Sequence, residues 1–217
     1  MAAKKVHPGV YRFRGGLATL NYAPGFRVYD EKLIRARGRE YRMWDPYRSK
    51  LSAALLKGLK SFPFAEDSSV LYLGASSGTT PSHLSDICCQ GFIYCVECSK
   101  RMMRELIPVS MKKNNMIPIL ADANRPQDYM HTIASVDVLY QDVAQKNQSE
   151  ILLKNARIFK PKHAILLIKA RSINAVENPK KVFREEINQL KGDFRVREKI
   201  DLRPYDKDHV FVNLERK

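Results

Sequence analysis

No apolar run in the 217 residues approaches the roughly 20 needed to span a bilayer, so the chain offers no candidate transmembrane helix. The opening segment, Met1 to Pro8, lacks the apolar stretch of a signal peptide, and the expectation is a cytoplasmic protein. Cysteine is scarce. The four residues are Cys88, Cys89, Cys95 and Cys98, and the Cys95-x-x-Cys98 spacing of a redox or zinc pair has no second pair to match it. The five histidines (7, 83, 131, 163 and 209) do not complete a zinc pattern either, so no metal site is expected. Residues 92–98 read instead as a sheet strand, in which free cysteine is an ordinary core residue. Internal repeats and low-complexity segments are absent. Also missing are a Gly-Lys-Ser/Thr phosphate loop and an intact G-x-G-x-x-G fingerprint.

What the chain has in excess is positive charge. Its formal net charge is +15, and residues 1–60 hold 14 Lys/Arg against 4 Asp/Glu, a net of +10. Such a basic concentration is the electrostatic footprint of a polyanion partner. No strongly amphipathic basic helix lies near the N-terminus, which puts nucleic acid ahead of a membrane surface.

Residues 8–43 read as short strands and turns. Val10–Phe13 and Phe26–Tyr29 alternate in type, with Gly15-Gly16 and Pro24-Gly25 as turns. The expectation is a small basic β-rich domain over residues 1–50 and a second domain over 51–217. Leu51, Ala54, Leu55 and Leu59 recur at helical spacing within 46–59. Strands and helices then alternate. Strands are predicted over 70–73, 92–97, 117–121, 136–141 and 164–169, with helices near 81–88, 99–107, 126–133 and 148–159. A further helix over 179–191 has Asn178 as cap, Pro179 at its first position and Gly192 beyond its end. The chain closes with strands over 194–200 and 209–214. This order implies an α/β fold with a mostly parallel sheet covered by helices on both faces. The last two strands, joined by a short polar turn, imply an antiparallel edge.

Residues 70–80, Val-Leu-Tyr-Leu-Gly-Ala-Ser-Ser-Gly-Thr-Thr, carry the sharpest signal. A short buried strand runs into a turn of small residues, and Pro81 suits the first position of a helix. Strand, glycine turn and helix start together make a site for a nucleotide-like ligand. In such a sheet the ligand lies beyond the carboxyl ends of the strands. The polar residues expected on that rim are the Gly74–Gly78 turn with Ser76, then Glu97, Asp122, Asp142 and Lys169. Glu97, about 20 positions after the turn, suits a ribose diol, and competes with a solvated strand end. Asp122 suits an exocyclic amine, and competes with a helix cap. Asp142 and Lys169 each end an apolar strand, where a buried charge requires a partner.

Four segments bring a family into view: Trp44-Asp-Pro-Tyr-Arg-Ser-Lys-Leu51, Tyr72–Thr80, Tyr140-Gln-Asp-Val-Ala-Gln145 and Pro204-Tyr-Asp-Lys-Asp-His209. With these the chain resembles the fibrillarins, in their short archaeal form without the Gly/Arg-rich arm, over nearly its whole length. The resemblance implies a class I (Rossmann-like) methyltransferase that uses S-adenosyl-L-methionine to methylate RNA ribose 2′-hydroxyls, in rRNA and tRNA. It places Gly74, Ser76, Gly78, Thr79, Thr80, Glu97, Cys98, Asp122, Ala123, Asp142, Val143, Ala144 and Gln145 at the cofactor. Cys98 departs from the larger side chain expected beside the acidic position. The resemblance matches Lys50, Asp142 and Lys169 to three members of a Lys-Asp-Lys-Glu catalytic tetrad, with His209 in the fourth place. It also implies partners: a box C/D guide RNA, a Nop-family scaffold protein and a kink-turn-binding ribosomal-type protein.

Two competing readings fit parts of this pattern. A catalytically idle RNA-binding scaffold would keep the fold and the basic charge. A nicotinamide-dependent dehydrogenase would use the Gly74–Gly78 turn and Glu97, but neither the terminal strand pair nor the basic N-terminal module is expected of it.

Overall fold

The computed structural model describes residues 3–217. Met1 and Ala2, at the head of the expected N-terminal module, lie outside the described residues. The chain opens with five short antiparallel strands: β1 (Lys4–His7), β2 (Val10–Phe13), β3 (Gly16–Leu20), β4 (Leu33–Ala36) and β5 (Arg39–Trp44), in the order β1-β2-β3-β5-β4. Phe26–Tyr29 is not a strand, despite its alternation. The backbone N–H groups of Val28 and Tyr29 donate to the Glu31 carboxylate at 2.9–3.1 Å, so a side chain takes the place of a partner strand.

Helix α1 (Lys50–Leu56) is shorter than its apolar spacing suggested. Asp45 to Arg48 form a turn, closed by Arg48 N–H donating to the Asp45 carbonyl at 3.2 Å. The α/β portion follows with β6 (Val70–Leu73), α2 (Thr79–Ile87), β7 (Ile93–Glu97), α3 (Lys100–Lys112), β8 (Met116–Leu120), β9 (Val138–Gln141), α4 (Gln148–Phe159), β10 (His163–Lys169), α5 (Ala170–Ile173), α6 (Pro179–Leu190), β11 (Phe194–Asp201) and β12 (His209–Arg216). Pro81 is the third residue of α2, not the first; N–H groups of a first turn lack intrahelical partners in any case. Helix α3 runs through Pro108, which sits on its exposed side, where water can satisfy the carbonyl one turn earlier. The helix expected over 126–133 is two single 3-10 turns, Pro126–Asp128 and Met130–Thr132.

The seven-stranded sheet has the order β11-β12-β10-β9-β6-β7-β8. Strands β6 to β10 are parallel, and β12 alone runs against its neighbours. The antiparallel pair expected at the edge is there, with β11 outermost and the last strand, β12, inside it. Strand β12 inserts between β10 and β11, paired from His163↔Glu215 to Lys169↔His209. Burial explains the order: Val210 to Leu214 are buried continuously, whereas β11 alternates between covered and exposed residues. An alternating strand tolerates an edge; a continuously apolar one does not.

Two apolar layers pack the faces of this sheet. One holds Tyr72, Leu84, Ile165, Leu167 and Phe211 and extends to Val10, Leu17 and Trp44 of the N-terminal sheet. The other holds Leu71, Leu73, Leu139, Ile151, Leu166 and Val212. Cys88 and Cys95 lie within the first, and burial pushes the Cys88 thiol up to about 12 and the Cys95 thiol higher still. All four cysteines are free. Among the described residues no helix is long and apolar enough to cross a membrane, and no cluster of three or more His, Cys, Asp or Glu is placed to hold a metal ion.

Candidate active site

The junction of sheet and charge lies at the carboxyl ends of β6, β7, β9 and β10. There Gly74, Glu97, Cys98, Ala123, Asp142 to Gln145 and Lys169 line a cavity of about 270 Å³. Gly74 makes the first turn possible. Its φ of +83° suits glycine, and a Cβ there would lie 2.9 Å from the Asp142 carbonyl oxygen. The ends of β6 and β9 thus approach closely where a ligand would sit. Ser76 also adopts a positive φ, +49°, and its N–H donates to Glu97 Oε2 at 2.8 Å. The other Glu97 oxygen accepts from Ser99 N–H, also at 2.8 Å. Glu97, only 8% exposed, therefore fixes the glycine turn and the start of α3 at once. Each of its oxygens keeps a second lone pair for a hydroxyl.

The remaining predicted ligand residues divide by position. Gly78, with φ +92°, opens α2, and its missing Cβ makes room for Leu106. Thr79 and Thr80 line an adjoining cavity of about 290 Å³ with Tyr47, Arg48, Lys50 and Asp142. The Thr80 hydroxyl is already joined to Ser49 Oγ at 2.9 Å, which ties α2 to the residue before Lys50. Asp122 stands between the cavity residues Ala121 and Ala123. Its Oδ1 accepts from Asn124 N–H at 2.9 Å, and the Asn124 side chain reaches Gln145. Asp122 is therefore not the helix cap weighed for it: it closes a local turn onto Asn124, and the next helical turn, Pro126–Asp128, is capped by Arg125.

Asp142 gathers the charged side chains. Lys50 Nζ donates to its Oδ2 at 3.1 Å. Lys169 Nζ donates to its backbone carbonyl at 2.8 Å and lies 2.8 Å from its Oδ1. That second contact is an ion pair without hydrogen-bond alignment, so buried Oδ1 keeps free accepting capacity. Lys50 reaches a second carboxylate, Asp206 Oδ2, at 3.7 Å, and Asp206 Oδ1 lies 2.5 Å from His209 Nδ1. All four predicted catalytic residues converge, and Asp206 completes the cluster. Asp206 lies within the Pro204–His209 segment, where nothing local in the sequence assigns it a task. Its signal was a carboxylate three residues before His209. Burial alone would lower the Lys50 pKa, but Asp142 and Asp206 outweigh it and raise the value, which keeps the ammonium charged. For Asp206 burial acts upward, yet His209, Lys50 and Lys169 together hold the carboxyl below its ordinary value.

Tyr72 and Tyr140 floor the cluster as a stacked pair, 4.5 Å between ring centroids. Behind α2, Arg42, Glu31, Asp86 and Lys113 form a buried ion network between the N-terminal sheet and the helix. Arg42 lies 2.6 Å from Glu31 and 2.8 Å from Asp86, and Lys113 pairs with Asp86. No sequence pattern pointed to it.

A glycine turn feeding a helix, an acid at the end of the next strand and a parallel sheet with one reversed strand define a class I methyltransferase fold. Comparison with known proteins narrows this. The fibrillarin family model matches residues 1–217, and the chain belongs to that family. A fibrillarin-like rRNA/tRNA 2′-O-methyltransferase of Methanocaldococcus jannaschii is 49% identical over 202 residues, covering 91% of this chain and 88% of that protein. Aeropyrum pernix fibrillarin, solved with natively bound S-adenosyl-L-methionine, superposes with a TM-score of 0.90 at 42% identity, over 99% of this chain and 98% of that one. Fibrillarin from a complex with Nop5p superposes with a TM-score of 0.91 at 40% identity, over 99% of this chain and all of the other.

Proposed function

We propose that this chain is a 2′-O-methyltransferase of rRNA and tRNA, methylating riboses selected by a box C/D guide RNA. It works in a cytoplasmic particle with a Nop-family scaffold protein and a kink-turn-binding ribosomal-type protein. Residues 1–50 form the small basic β-rich domain and residues 51–217 the methyltransferase domain. The observation that carries the proposal is Asp142 holding both Lys50 and Lys169 at the mouth of the Gly74–Glu97 cavity.

The donor set fits S-adenosyl-L-methionine. Glu97 offers acceptors to a ribose diol, Ala123 and Val143 offer apolar walls, and the glycine turn offers close backbone approach. When bound, that cofactor supplies an electrophilic methyl group. The residues of this chain act on the other reactant. A ribose 2′-hydroxyl is a poor nucleophile until its proton leaves. Lys169, anchored by two oxygens of Asp142, retains a third donor position for the 2′-oxygen. It acts there as proton acceptor when neutral or as stabiliser of the developing oxyanion when charged. Lys50, held charged by two carboxylates, has only the stabilising role. Asp142 orients both amines, and His209 with Asp206 positions the ribose.

The test is reconstitution with guide RNA and both partner proteins, followed by mapping of methylated riboses. Guide-directed methylation is the expected result. An idle scaffold would show no cofactor binding in calorimetry. A dehydrogenase would be stabilised against melting by NAD and not by S-adenosylmethionine.

A further inference from the structure

We propose that Tyr47 is a substrate-binding residue, an aromatic bumper that receives the ribose of the nucleotide next to the one being methylated. This rests on the RNA-methyltransferase reading above. Tyr47 is 68% exposed, one of the most exposed large apolar side chains among the described residues. Its place is nonetheless fixed. The Asp45-Pro46-Tyr47-Arg48 turn holds its backbone, with Tyr47 N–H donating to Asp45 Oδ1 at 2.8 Å. Its ring stands edge-on to Tyr205, at 5.2 Å between centroids and 71° between planes. Tyr205 packs in turn against the main apolar core. An exposed aromatic ring with a buttress behind it and a tight turn beneath it is ordered before any ligand arrives, which lowers the entropic cost of contact.

The location selects the occupant. Tyr47 lines the cavity that also holds Lys50, Thr80 and Asp142, while its buttress Tyr205 is adjacent in sequence to Asp206. The ring thus borders the catalytic ions on their outer side. The reacting ribose occupies the ions themselves, so the next sugar along the strand meets the rim. In a guide–target duplex the 2′-hydroxyls and sugars face a wide, shallow minor groove, open to a protruding side chain. Arg48 and Lys50 follow the ring in sequence, and residues 1–60 carry a net +10, which complements the phosphates on either side of that groove. A sugar contact also suits an enzyme whose target is chosen by base pairing, since it ignores base identity.

The experiment uses the reconstituted guide particle with saturating target RNA and cofactor. Tyr47→Ala is expected to lower the single-turnover methylation rate about tenfold, the order for loosening a positioned reactant. Cofactor affinity should be unchanged in calorimetry, and melting temperature should stay near wild type. Tyr47→Phe should retain the wild-type rate, because the contact uses the ring and not the hydroxyl. Changing the target base pair should leave the Tyr47→Ala deficit the same. With p-benzoylphenylalanine at position 47, irradiation should crosslink the target strand beside the methylated nucleotide. A Tyr47→Ala particle with native rate, or a crosslink only to the scaffold protein, overturns the inference. A wild-type particle that methylates nothing overturns the underlying functional reading instead.

Discussion

Asp206, within the β11–β12 connection, faces His209 at the start of β12, with Nδ1 2.5 Å from Oδ1, and presents its other oxygen to Lys50. The histidine and the helix α1 lysine are therefore linked through one carboxylate. Replacing Asp206 by Asn removes the charge that both share. Asp206→Asn should lower the single-turnover methylation rate about tenfold, the order for loosening a positioned group. Cofactor affinity should remain, because Asp206 does not line the Glu97 cavity. A double variant with His209→Ala should lose little more than the worse single variant, since the two act as a unit. Additive losses would separate them.

Glu97 has more to lose than a ligand contact. Its carboxylate holds the N–H groups of Ser76 and Ser99. Glu97→Ala should weaken S-adenosylmethionine binding by about 1–3 kcal/mol, the scale for a hydrogen bond to a charged group. Titration calorimetry measures this directly. Because the strained Ser76 turn is released as well, amide exchange across residues 74–78 should speed up in the same variant. Unchanged affinity would remove Glu97 from the cofactor site.

The legible parts of this protein were those encoded locally. Apolar runs such as Ile165–Ile168 and Val70–Leu73 bounded by polar ends announce buried strands, and the rim residues follow from where those runs stop. What escaped depends on tertiary pairing. Phe26–Tyr29 alternates like a strand, yet Glu31 claims its N–H groups. The edge position went to β11 because β12 is the more apolar of the two. Asp206 lies in a polar loop, and only its closure onto Lys50, far away in sequence, gives it a role. The Arg42–Asp86 pair spans 44 positions and leaves no periodic trace.

The buried network gives the chain a distinct acid response. His83 is fully buried, stacked on Trp44 at 4.8 Å, and hydrogen-bonded to Thr19 at 2.8 Å and Tyr29 at 2.7 Å. Burial first, then the charges of Arg42 and Lys113, hold its pKa well below 6.5. The native state thus keeps it neutral while the unfolded chain takes up a proton below that value. The stabilisation is complete above pH 6.5 and is lost as pH falls toward the native pKa, with a slope approaching about 1.4 kcal/mol per pH unit. Denaturant melts of the wild type from pH 7.5 to 5 should show that decline. His83→Gln should be less stable at neutral pH, but should lack this part of the slope. Parallel pH profiles would place the titration elsewhere.

Lys169 carries the strongest prediction about chemistry. It ends β10, in register with His209 of β12, and its Nζ contacts both the carbonyl and the carboxylate of Asp142. Lys169 lines the Glu97 cavity, but removing it leaves Lys50 on Asp142 Oδ2 and leaves Glu97 untouched, so cofactor binding should be largely kept and particle assembly should persist. Turnover should fall by about 10²-fold or more, the scale for losing a positioned proton-transfer group. His209→Ala should cost less, because that side chain positions the ribose without moving its proton. A Lys169→Ala enzyme with near-native single-turnover rates would shift the chemistry to Lys50, whose contacts with Asp142 and Asp206 keep it charged.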